Sequence, residues 1–94
     1  MYLRLDKISK KKLFEALEVF EGCEIYFFGS RRDPEKRGGD IDIAIKGLDK
    51  EEFKKKRVKF FKKLLLSDFD YDVDLVHYES ASELLKQEIR RAND

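Results

Sequence analysis

Apolar positions recur at helical spacing from about residue 9 to residue 20, with Leu13, Phe14, Leu17 and Phe20 on one stripe and Gly22 as a stop. Glu24 to Phe28 then reads as a strand, rich in aromatic and β-branched side chains and closed by Gly29. Residues 30 to 39 hold the one proline and two of the five glycines, and they form a loop. Asp40 to Lys46 alternates strictly: Asp40, Asp42 and Ala44 point one way, and Ile41, Ile43 and Ile45 the other. Gly47 turns the chain, and Asp49 with Glu52 resembles a capping box. The helix it opens should run to about Leu66, burying Phe53, Phe60, Phe61, Leu64 and Leu65. Asp72 to Tyr78 is a third strand with Asp72, Asp74 and Val76 on one face. Ser80 and Glu83 form a second capping box, opening a helix striped by Leu84, Leu85, Ile89 and Ala92. The expected order is αβ-loop-βαβα, an α+β domain in which helices flank a small mixed sheet.

Length and charge narrow the function. At 94 residues the chain is one expected domain, 1–94, without room for a separate substrate-binding domain. Its 21 basic and 20 acidic residues leave a net charge of +1, which argues against a general nucleic-acid binder. Abundant Lys and Glu beside single copies of Asn, Gln, Cys and Met match the compositional bias of hyperthermophile proteins. One cysteine forms no internal disulfide, no leader is evident, and the apolar runs fall far short of the ~20 residues of a membrane span. A cytoplasmic protein is the expectation.

The chemistry lies in the acids. Asp40 and Asp42 share a strand face with Cα atoms roughly 6.6 Å apart, two strand steps. Carboxylates so placed repel one another, and a divalent cation relieves them. Mg²⁺ accepts carboxylate oxygens at about 2.0–2.1 Å and keeps positions open for phosphate. A third carboxylate on a neighbouring strand would bind a second metal, and two metals clamp the attacking and leaving oxygens of a phosphoryl displacement. Asp74 is the best candidate. Taken alone, an acid pair on an amphipathic strand is more often a solvated face.

The segment before the pair changes that balance. Gly29-Ser30 directly follows an apolar strand, where glycine lets backbone approach a ligand and amides and a hydroxyl donate to phosphate. Arg31 and Arg37 are candidates for clamping phosphate oxygens, although Asp33 and Glu35 balance this loop. The basic run from Lys54 to Lys63 is expected to be the wet face of its helix. His77 falls opposite Asp74 by alternation, and Cys23 has no base beside it.

The run FFGSRRDPEKRGGDIDIAI resembles the signature of the DNA polymerase β-type nucleotidyltransferases, and YDVDLVHYESASELLKQEI is similar to the third-acid strand and following helix of their minimal members. The resemblance covers about residues 10 to 91. It implies a polymerase β palm-like fold, with Gly29 and Ser30 holding a triphosphate and Asp40 and Asp42 binding Mg²⁺ or Mn²⁺. It places the third acid directly before Leu75, which implies Asp74 rather than Asp72 in the metal site and beside the attacking hydroxyl. It further implies transfer of a nucleoside monophosphate, AMP from ATP for preference, with release of pyrophosphate. Minimal members often pair with a helical HEPN toxin as its antitoxin; a homo-oligomer is the other expected assembly. Members often continue past the last helix to a short apolar end, whereas this sequence stops at Asp94, leaving the acceptor surface open. The rivals are an antitoxin acting by contact alone and an RNA-binding module. Metal-dependent ATP binding favours the enzyme, and steeply salt-dependent RNA binding the last.

Overall fold

The computed structural model describes residues 6–28 and 41–93. Their elements are α1 (Lys7–Leu17), β1 (Glu24–Phe28), β2 (Ile41–Lys46), α2 (Lys50–Leu66), β3 (Val73–His77) and α3 (Glu83–Ala92). Short 3₁₀ turns at Glu18–Phe20 and Tyr78–Ser80 follow α1 and β3. The described strands form one sheet in the order β1-β2-β3, β1 antiparallel and β3 parallel to β2. A parallel pair needs a crossover, and α2 supplies it.

The alternation of β2 organises both layers. Ile41, Ile43 and Ile45 are buried against α1 and α2 in a core that includes Leu13, Leu17, Phe20, Phe53, Phe60, Leu64 and Leu75. Ala44 faces the other way and packs with Phe28, Tyr78 and Ile89, while Tyr26, Val76 and Leu85 lie half-buried around them. Two helices thus cover one face of the sheet and α3 the other.

Caps set the helix starts. Asp6 accepts the Ser9 amide at 2.7 Å and its hydroxyl at 3.1 Å. The amide bond, the larger effect, holds the Asp6 carboxyl below its ordinary pKa. The contribution of this cap is therefore present above the ordinary value and fades as pH falls through the lowered one. Asp49 caps α2, accepting the Glu52 amide at 2.8 Å, as the sequence pattern predicts. Asp49→Ala should cost about 1 kcal/mol of stability, read as a lower urea midpoint at unchanged m-value. An unchanged midpoint would show that the cap adds nothing here.

Four expectations need correction. Phe14, Leu65 and Leu84 are 49%, 79% and 79% exposed. Each stands beside an apolar neighbour that turns inward instead: Leu13, Leu64 and Leu85. The inner line of α1 is Ser9, Leu13, Ala16 and Leu17, while Phe14 makes an edge-on pair with Phe27, ring centres 6.1 Å apart. The cap of α3 is Ser82, accepting the Leu85 amide at 3.2 Å, rather than Ser80. Ser80 is engaged elsewhere, 2.7 Å from His77 Nδ1.

Candidate functional site

Register places the acids. Asp42 of β2 stands directly beside Asp74 of β3 in the parallel pair, and beside Phe28 of β1 in the antiparallel one. Adjacent strands lie about 4.8 Å apart, so the two carboxylates leave the same face at neighbouring positions. Asp42 is half-buried and Asp74 exposed. Phe28, buried, walls the row on the β1 side. The residues two steps further along, Ala44 and Val76, are packed in the cluster that includes Ile89 of α3, so the acids head the strip that α3 roofs.

Asp72 is placed differently. It precedes β3, and its carbonyl accepts the Ile41 amide at 2.8 Å. Its backbone helps align the two strands while its side chain is exposed and one pair step away from Asp42. Asp74 is the acid level with Asp42.

Gly29, Ser30, Arg31, Arg37 and Asp40 lie outside the described residues. They belong to the segment joining β1 to β2, whose two ends are Phe28 and Ile41. Of these flanking residues, Phe28 pairs with Asp42 and Ile41 directly precedes it. Among the described residues no three His, Cys, Asp or Glu side chains gather into a metal site. Asp42 and Asp74 supply two hard oxygen donors side by side, which suits Mg²⁺, and Asp40 is the expected third.

His77 is excluded from this face by its own bonds. It is buried on the α2 side, its ring 5.1 Å from that of Phe53. Its Nε2 lies 2.7 Å from the Leu48 carbonyl and 3.3 Å from a Glu79 carboxylate oxygen. A carbonyl only accepts, so Nε2 carries the proton, and Nδ1 of a neutral ring accepts from the Ser80 hydroxyl. The other Glu79 oxygen takes the Gly47 amide at 2.8 Å, where a φ of +112° requires glycine. Together these bonds tie the β2–α2 turn to the β3–α3 turn.

A neighbour of the site that sequence reasoning missed is Asn93. Its amide donates to the carbonyls of Phe27 and Ile89, both at 2.9 Å, and fastens the end of α3 to β1 just before the phosphate-loop candidate. Asparagine immediately after a helix was the available signal.

A family model described as polymerase beta nucleotidyltransferase matches residues 11–94. The chain belongs to this nucleotidyltransferase family. Two solved structures are similar to it. One, a toxin–antitoxin MntA-HepT, is 28% identical at a TM-score of 0.56, covering 93% of this chain and 68% of that one. The other, a toxin–antitoxin with AMP-PNP, is 32% identical at a TM-score of 0.59, covering 88% and 68%. Comparison with curated proteins finds no match. Within the polymerase β-like superfamily this nucleotidyltransferase is a minimal one, and its small mixed sheet between helices has the fold that the sequence resemblance implied. No helix among the described residues is long and apolar enough to cross a membrane.

Proposed function

We propose that this nucleotidyltransferase moves AMP from ATP to a hydroxyl of a protein partner, the chain acting as antitoxin and the partner, of HEPN type, as toxin. The observation that carries the reading is the level pairing of Asp42 and Asp74 on adjacent strands. The similarity to a toxin–antitoxin with AMP-PNP supports the choice of nucleotide and of partner.

Asp40, Asp42 and Asp74 would hold Mg²⁺. Bound there, the metal would neutralise the triphosphate and stabilise charge developing during displacement. Gly29 and Ser30 would receive the phosphates through backbone amides and a hydroxyl, with Arg31 and Arg37 adding cationic donors. The acceptor hydroxyl then attacks the α-phosphorus in line. Its oxygen bonds to phosphorus as the bond to the pyrophosphate oxygen breaks, and pyrophosphate departs. Asp74, the exposed acid of the pair, takes the hydroxyl proton. Positioning and charge carry the reaction, with no covalent enzyme intermediate.

Titrating a non-hydrolysable ATP analogue with Mg²⁺ tests the metal site. Saturable binding is expected in the parent chain, and Asp42→Ala should abolish it. Equal affinity in the variant would remove the metal from this account. Neutralisation of the partner that survives Asp42→Ala would return the function to contact alone.

A further inference from the structure

We propose that the outer groove between α1 and α2 seats an acidic, leucine-bearing amphipathic helix of a partner protein, on the side of the sheet away from Asp42 and Asp74. One part of the groove, about 410 Å³, is lined by Val19, Lys56, Lys59, Lys62, Lys63 and Leu66. An adjoining part of about 460 Å³ shares Lys63 and Leu66 and adds Lys12 beside Glu15 and Glu18. The apolar part of the lining is open: Leu66, which lines both parts, is 77% exposed.

Charge identifies the occupant. Five lysines against two glutamates line the two parts. Among the described residues none of these lysines has a carboxylate within salt-bridge distance. Lys56, Lys59, Lys62 and Lys63 repeat at spacings of three and four, where like charges disfavour a helix. An anionic occupant turns that cost into attraction. Shape and hydrophobicity then select a helix. Lys56 to Leu66 spans about 15 Å along α2, nearly three turns of a facing helix. Nucleic acid would pair with the lysines but leave Leu66 and Val19 wet, and the chain's net charge is only +1. A leucine stripe flanked by Glu or Asp satisfies both parts of the groove.

The placement separates two tasks. Both α1 and α2 pack on the Ile41–Ile43–Ile45 face, whereas the acids share the face that α3 covers. A partner held in the groove therefore leaves the carboxylates open, so the proposal stands independently of whether transfer occurs.

The test uses the intact chain and a labelled helical peptide of about five turns, roughly 18 residues. The peptide carries leucines at i, i+4, i+7 and i+11 between glutamates. Anisotropy should show saturable binding that weakens about tenfold in Leu66→Ser, the loss of one apolar anchor. Lys59→Glu with Lys63→Glu should weaken it further, and a peptide with lysines in place of glutamates should not bind. Leu66→Ser removes an exposed side chain, so the fold and Mg²⁺-dependent nucleotide binding should persist. The proposal is overturned if a leucine-free acidic peptide, an RNA oligomer or anionic vesicles bind as well as the leucine peptide. It is equally overturned if Leu66→Ser binds unchanged, or if sedimentation shows a second copy filling the groove.

Discussion

Asp74→Asn should lower nucleotide transfer at least ~10²-fold, the lower end for losing a positioned base, while nucleotide binding changes much less. The substitution keeps the side chain's size and removes its charge, so the β2–β3 register survives. Asp42 would still contribute its carboxylate to the first metal. Asp72→Asn should leave transfer almost unchanged, because Asp72 aligns the strands through its carbonyl. Single-turnover transfer of labelled nucleotide to the co-purified partner separates the two. An inactive Asp72→Asn beside an active Asp74→Asn would move the site by one pair step along β3.

Phe60→Ala should cost about 3–5 kcal/mol, enough to threaten a domain of this size. Phe60 is fully buried where α2 meets the first layer, its ring 5.8 Å from Phe20 and 5.2 Å from Phe61. Phe20, its buried neighbour, is itself held by stacking on Phe53 at 6.2 Å. Leu65→Ala, on the same helix but exposed, should stay within about 0.5 kcal/mol of the parent. Urea unfolding of the pair measures the difference directly. Equal losses would mean that the buried face of α2 has been misplaced.

Those two α2 residues also show what could be read in advance. The strands were legible because β2 alternates without exception and its isoleucines tolerate one orientation only. The start of α2 was legible because an Asp three residues ahead of a Glu is a helix-start pattern, and Asp49 does accept the Glu52 amide. Helix rotation was harder. Leu13–Phe14, Leu64–Leu65 and Leu84–Leu85 are adjacent apolar pairs, and periodicity permits either member to face inward. The choice belongs to packing: the sheet takes Leu13 and Leu64 against its isoleucines, and Leu85 beside Ile89. The expected cap at Ser80 missed for a similar reason: its hydroxyl meets His77 Nδ1, and Ser82 caps α3 instead.

The acids divide in the same way. Alternation put Asp72 and Asp74 on one face but could not say which stands level with Asp42, since a parallel register has no hairpin turn to set it. The similarity of VDLV to the family pattern pointed to Asp74, and the register pairs that residue with Asp42. Asp40, Gly29, Ser30, Arg31 and Arg37 rest on sequence alone.

Parallel pairing of β2 with β3 has a consequence in time. Asp42 and Asp74 are separated along the chain by the whole of α2, and they meet only when that helix has formed and carried the chain back across the sheet. Closing so long a connection costs entropy before any contact repays it, and parallel pairings are among the slow ones. During synthesis the first acids leave the ribosome well before β3 does, so a nascent chain holds half a site. The proposed metal site is therefore complete only in the finished fold, and under that proposal a partly made copy of the chain would spend no nucleotide.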